Sequence, residues 1–195
     1  MIEFNNNGTR VATGGFGVSV HDPKNGNVLA SFDNSKSVIR DLDFHSDNIH
    51  LVGAGEEQEV YLWNTEKRNL VRSFTGHTSR VQAAAYRPGW KQIVSAEENS
   101  LVRIWDIARD QGGEFFEGVK NYPSEMVFAP GGKLLAASEW IPWETGHAGG
   151  VQLWDTETKE PLMRLDGHEA GVAGIAFSHD GSQLVSASYD NRLLL

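Results

Sequence analysis

The sequence predicts an all-β chain built from one four-stranded unit repeated along its length. Three observations carry this: two aromatic markers keep a common register, short apolar or alternating runs alternate with turn residues, and no stretch sustains a helical period. The first marker is the phrase Val-x-hydrophobic-Trp-Asp, found at Val60 to Asn64, Val102 to Asp106 and Val151 to Asp155, with a weaker copy at Val18 to Asp22. Trp63 and Trp105 stand 42 residues apart, and Trp105 and Trp154 stand 49 apart. The second marker, the aromatic that ends an earlier apolar run, steps identically: Phe44, Tyr86, Phe128 and Phe177 are separated by 42, 42 and 49 residues.

The third unit displays all four strands. Val81 to Tyr86 reads as strand a, and Pro88-Gly89-Trp90-Lys91 turns into strand b at Gln92 to Ala96. Glu97 to Ser100 turns into strand c at Leu101 to Asp106, and Gly112-Gly113 precedes strand d at Glu114 to Phe116. Other a-to-b turns fall at Asn7-Gly8, Asp47-Asn48, Gly131-Gly132 and Asp180-Gly181, where Asn, Asp and Gly tolerate the left-handed backbone of a tight hairpin. The units so bounded run over 1–35, 36–77, 78–119, 120–168 and 169–195, the last without strand d.

A four-stranded period of this length closing on Trp-Asp resembles the WD-repeat (Trp-Asp) β-propeller family, and the resemblance covers essentially the whole chain. A further mark of that family, a Gly-His opening the repeat, occurs at Gly76-His77 and Gly167-His168, 91 residues apart. The resemblance implies a β-propeller arc of four to five four-stranded blades, part of a larger ring of about seven. It also implies a buried hydrogen-bond chain linking a His before strand a, a Ser or Thr on strand b, an Asp in the b-to-c turn and the Trp of strand c. The third repeat offers His77, Ser95 and Trp105, with Asn99 where Asp is expected, and the fifth offers His168, Ser186 and Asp190. Repeats two and four lack the His and place Gly53 and Ala137 at the Ser position, so Trp63 and Trp154 are expected to rest on apolar packing. No repeat is expected to hold all four members.

Ser, His and Asp in one motif also compose a hydrolase triad, but no nucleophile stands on an exposed turn and no oxyanion-hole loop accompanies it, so no catalytic residue is assigned. His21, His45, His50, His147 and His179 lack His-x-x-x-His spacing and are read as surface or turn residues, not metal ligands. The absence of Cys removes disulfides, thiolate sites and Cys nucleophiles. No cofactor or metal is expected.

Seventeen Lys and Arg against 26 Asp and Glu give a formal charge of -9, which opposes sequence-independent binding to nucleic acid or anionic membranes. Met1 to Asn7 lacks an apolar signal core and no run approaches the roughly 20 apolar residues of a spanning helix, so a soluble, cytoplasmic protein is expected. The b-to-c turns hold Glu56, Glu57, Glu59, Glu97, Glu98, Glu139, Glu144 and Asp190 without a base. The d-to-a connections add Asp33, Glu117, Asp166 and Glu169 against Lys36, Arg80 and Lys120. In the family these connections share one face where partners dock, so the whole acidic excess is assigned to that face. A hydrophobic anchor is read beside it in Glu139-Trp140-Ile141-Pro142-Trp143-Glu144, part of a seven-residue excess in repeat four.

The resulting expectation is a non-enzymatic scaffold or recognition module that binds protein partners, a basic segment among them, through Glu56, Glu57, Glu97, Glu98, Glu139, Trp140, Ile141, Trp143 and Glu144. The alternative is a propeller fused to, or forming part of, an enzyme whose catalytic module or cofactor lies outside this segment. The first unit already holds strands b, c and d, and the last holds a, b and most of c, so closing the two into one blade would duplicate strands. A segment of a larger propeller, with its remaining blades in cis, is therefore expected; completion by another chain is the alternative.

Overall fold

A computed structural model describes residues 1–33, 38–89, 91–109, 113–141 and 148–195. Every regular element among them is a strand of two to seven residues, as short β-branched and aromatic runs between Gly, Asn and Asp turns dictate. The first sheet comprises β1 (Ile2–Phe4), β2 (Val11–Gly15), β3 (Gly17–His21) and β4 (Val28–Phe32). The second holds β5 (Ile39–Phe44), β6 (His50–Gly55), β7 (Glu59–Asn64) and β8 (Asn69–Thr75). β9 (Val81–Tyr86), β10 (Gln92–Glu97), β11 (Val102–Asp106) and β12 (Glu114–Phe116) form the third. The fourth contains β13 (Tyr122–Phe128), β14 (Leu134–Trp140), β15 (Gly150–Asp155) and β16 (Pro161–Asp166). A final sheet of three strands consists of β17 (Val172–Phe177), β18 (Leu184–Ser188) and β19 (Leu193–Leu194).

Each sheet is an antiparallel meander in chain order, and the first strands β1, β5, β9, β13 and β17 pack against one another in succession. The molecule is an all-β arc of propeller blades. The a-to-b and c-to-d turns therefore emerge at one end of the axis, and the b-to-c and d-to-a connections at the other.

The core lies between blades, not within them. On β6, Leu51 packs toward the first blade while the next residue, Val52, packs toward the third. Burial on both faces explains why β6 and β10 read as continuous apolar runs instead of strict alternation. Trp63, Trp105 and Trp154 each reach back to the outer strand of the preceding blade, meeting Phe32 at 5.7 Å, Phe74 at 5.6 Å and Phe116 at 6.0 Å. These Phe residues step by 42 and 42, and the longer last step of the Trp reflects the insertion between Phe116 and Trp154. An indole buried this way removes about 150–250 Å² from water, worth about 4–6 kcal/mol of transfer free energy at about 25 cal/mol per Å².

Gly53 has a packing reason. A Cβ there would lie 2.6 Å from the Trp63 ring, so the second blade seats its indole directly on the β6 backbone.

The first strand of each blade is an edge strand with free N–H groups along the axis, and acidic side chains of the preceding blade satisfy several of them. Asp41 accepts from Ala84 N at 2.9 Å, Asp43 from Tyr86 N at 2.6 Å, and Glu125 from Ile175 N at 2.7 Å.

Candidate recognition surface

In the third blade the polar chain ends against a residue the motif does not name. Trp105 Nε1 donates to Ser95 Oγ at 2.7 Å, and Ser95 Oγ lies 2.5 Å from His77 Nε2. Indole N–H can only donate, so the Ser95 proton points to His77 Nε2 and the remaining imidazole N–H faces outward along the chain. There Glu97 Oε2 stands 3.2 Å from His77 Nδ1 and accepts the backbone N–H groups of Thr78 at 2.6 Å and Ser79 at 2.8 Å. Glu97 thus fills the role expected of Asp, from the end of β10. Asn99 is exposed and bonds instead to Thr78 Oγ1 at 3.0 Å. Burial pushes the His77 imidazole down to about 4, against the opposing pull of the Glu97 carboxylate, so it is neutral at pH 7. Ser95 is fully buried, and no substrate can approach its hydroxyl.

The fifth blade builds its version from the predicted residues. His168 Nδ1 and Nε2 each lie 2.9 Å from a partner, Asp190 Oδ2 and Ser186 Oγ. In the fourth blade Trp154 Nε1 donates to the Glu117 carbonyl at 2.6 Å, and Glu139 takes the place of Glu97, accepting from Asn121 Nδ2 at 2.7 Å and from Arg164. Trp63 Nε1 finds no partner among the described residues.

These networks correct the expected acidic face. Glu97 and Glu139 are wholly buried and their oxygens are spent on the d-to-a loops, so neither presents a carboxylate to a partner. Arginines on strands and turns also reach that end: Arg40 pairs with Glu56 at 2.6 Å, Arg192 with Glu169 at 2.9 Å, and Arg164 with Asp166 at 2.7 Å. Counting charges by loop missed them because a long side chain delivers its charge well beyond its own backbone position. Ile141 is buried beside Gly171 of the next blade and is not an exposed anchor. Trp143, Glu144 and Lys36 lie outside the described residues.

What remains gathers around a cleft of about 430 Å³ where the first strands of three blades begin. Arg40, Gln82 and Ser124, equivalent positions 42 residues apart, line it together with Glu98, Tyr122, Pro123 and Trp140. The rings of Tyr122 and Trp140 lie 6.1 Å apart, and both residues are more than one-third exposed. Glu98 accepts from Gln82 Nε2 at 2.8 Å and lies 3.8 Å from Arg80. Glu57 accepts the Tyr61 hydroxyl at 3.3 Å.

At the opposite end, a cavity of about 530 Å³ reaches along the axis past Glu3, Asp41, Asp43 and Glu125. Burial pushes Asp41 up to about 8 and Asp43 up to about 7, outweighing their backbone hydrogen bonds. Among the described residues, one group brings three metal-ligand atoms within 4.8 Å of one another: His45, which lines this cavity, Asp47 and His50. Sequence reading by helical His spacing passed over it, because a hairpin turn joins positions five apart.

Blades of this kind, with a His-Ser-Trp chain and a Trp seated on the preceding blade, define a WD-repeat propeller. Residues 25–64, 68–106 and 159–195, more than half of the chain, match the WD domain, G-beta repeat family, and the chain belongs to it. Each matched stretch starts at the outer strand of one blade and ends on the third strand of the next, so the sequence repeat is offset from the blade by one strand. Similar proteins include Autophagy-related protein 16 of Arabidopsis thaliana, 24% identical across 97% of this chain and 36% of its own length. Pre-mRNA-processing factor 19 of Oryza sativa subsp. japonica is 25% identical across 92% and 34%, and Transducin beta-like protein 3 of Bos taurus 24% across 89% and 21%. The chain spans about a third of the length of the first two relatives. Membership fixes the repeat and the propeller fold, and the relatives' names point to no single partner.

Proposed function

We propose that this chain is a non-enzymatic recognition module that holds a basic segment of a protein partner in the cleft beside Trp140. The observation that carries the reading is the combination of an exposed aromatic pair, Trp140 with Tyr122, and the Glu98 carboxylate in one cleft at the end of the propeller axis. Aromatic anchors in a pocket supply most of the affinity in such contacts, and complementary charge selects the partner and steers its approach. Glu56 and Glu57 extend the acidic rim, with Arg40 neutralising part of it.

Fluorescence anisotropy with a labelled Lys/Arg-rich peptide tests this. Binding should weaken by about tenfold in Trp140→Ala, the loss of about 1.4 kcal/mol, and should weaken further in Glu98→Lys and at high salt. Equal affinity for an acidic peptide of the same length, or full retention in both variants, sinks the reading.

A further inference from the structure

We infer that the β5–β6 hairpin is a binding site for a divalent transition ion of the zinc class, with His45, Asp47 and His50 as its ligands. The hairpin is held by His45 N donating to His50 O at 2.9 Å and Asn48 N to His45 O at 2.9 Å, with Asn48 in the left-handed region at φ 63°. This sets both histidines at the strand ends, across the turn from each other. Asp47 Oδ1 accepts the N–H groups of Ile49 and His50, which locks the carboxylate, while Oδ2 lies 3.0 Å from His45 Nδ1 and 2.7 Å from His50 Nδ1.

The turn itself does not need these imidazoles. Its counterpart in the fifth blade places Ser178, Asp180 and Gln183 at the same three positions, and Asp180 closes that turn with the Ser178 and Ser182 hydroxyls and the Ser182 N–H. Two histidines in place of Ser and Gln are an addition to a turn that is already satisfied.

His50 Nδ1 pairs with Asp47 Oδ2 at 2.7 Å and His50 Nε2 lies 3.4 Å from Asn64 Nδ2, while His45 Nδ1 stands 3.2 Å from the Asp47 N–H and 3.0 Å from Asp47 Oδ2. A metal ion bound at Nδ1 of both rings would take the place of the proton that now joins His50 to the carboxylate. Beside the group, the Tyr86 ring meets His45 edge-on at 4.9 Å, and the Tyr86 hydroxyl, on a residue 6% exposed, has no partner among the described residues. Tyr86 and His45 line the same cavity.

Two imidazoles and a carboxylate suit zinc, copper and nickel over magnesium or calcium, which prefer oxygen ligands. Ligands of a tetrahedral zinc site stand about 3.3 Å apart, given bonds near 2.0 Å. The two separations from Asp47 Oδ2, 3.0 and 2.7 Å, are shorter than this and all three ligand atoms lie within 4.8 Å of one another, so side-chain rotation must open the group around an ion; side chains a quarter to a third exposed leave the ion a path of entry.

Equilibrium dialysis of the metal-stripped full chain against Zn²⁺ is the test, together with thermal unfolding with and without Zn²⁺. The informative variants are His45→Ser and His50→Gln, which copy the fifth blade's turn and so keep a turn this fold already forms. One saturable site per chain is expected, weakened more than tenfold in either variant, with the Zn²⁺-induced rise in Tm lost in the double variant. His21→Asn and His179→Asn should bind as the parent does. Absence of saturable binding, or binding unchanged when both His45 and His50 are replaced, overturns the assignment.

Discussion

The second and third blades share strand order, the register of their first two strands and a 42-residue period, yet they solve the same interior in opposite ways. The third threads His77, Ser95, Trp105 and Glu97 into a polar chain through a buried interface. The second places Gly53 at the Ser position, seats Trp63 against the backbone and leaves its indole N–H without a partner among the described residues. The lesson is that the repeat conserves a volume between blades more strictly than a chemistry. Either an indole plus a hydroxyl network or an indole plus bare backbone fills it, but the two are not interchangeable piece by piece.

The sharpest way to break that comparison is to transplant one piece. Gly53→Ser adds the hydroxyl of the third blade without its His, and its Cβ meets the Trp63 ring at 2.6 Å. A loss of about 3 kcal/mol is expected in urea unfolding, at the upper end for overpacking, because the obstacle is a wedged indole and not a flexible tip. Next in size, Ser95→Ala leaves Trp105 Nε1 and His77 without their shared acceptor and donor, and should cost about 2 kcal/mol, where Ala137, the native residue of the fourth blade, costs that blade nothing because Trp154 bonds a carbonyl.

The two blades should also differ in the sign of their pH dependence. His77 has a folded pKa of about 4, below its unfolded value of about 6.5. The unfolded chain binds more protons between these values, so stability rises with pH across that window. Asp41 and Asp43 of the second blade titrate near 8 and 7 when folded, above the unfolded value of about 3.9. Here the folded chain binds more protons, and stability falls as pH rises from about 4 to 8. Two carboxyls against one imidazole leave a net decline from about pH 5 to 8 in measured unfolding stability, on the order of a few kcal/mol, and Asp41→Asn should remove most of it. A decline untouched by Asp41→Asn places its origin elsewhere. The smallest effect belongs to Asn99→Asp: restoring the motif's own residue should change stability by less than about 0.5 kcal/mol, since Glu97 already occupies the role.

Much of the blade architecture was legible because it is written in periodicities. The strands of the third blade sit where alternation and turn residues put them, apart from β10 continuing to Glu97 and β11 beginning at Val102 instead of Leu101. Its extra residue matters most, since an acid at the end of a strand looks in sequence like the start of a wet turn. Glu97 and Glu139, 42 residues apart, carried a signal of their own: an acid recurring at one register position in two repeats is more consistent with a shared structural duty than with a solvated face. The cleft was only half legible. Trp140 stood out as a loop aromatic, whereas Tyr122 and the lining residues Arg40, Gln82 and Ser124 come from three blades and have no local mark.

The sequence by itself determined the number and order of strands, the repeat length and the side chains packed between blades, because local backbone preference and the spacing of apolar residues act within a few residues of each other. Only the tertiary structure decided which polar groups end up facing one another. Whether Glu97 meets His77 or water, whether Arg164 cancels Glu139, and whether His45 and His50 converge on Asp47 depend on angles between chain segments and on side-chain reach. Hydrogen bonds and ion pairs are short-ranged and directional, so a displacement of about an ångström makes or removes them, while hydrophobic burial tolerates the same displacement unchanged.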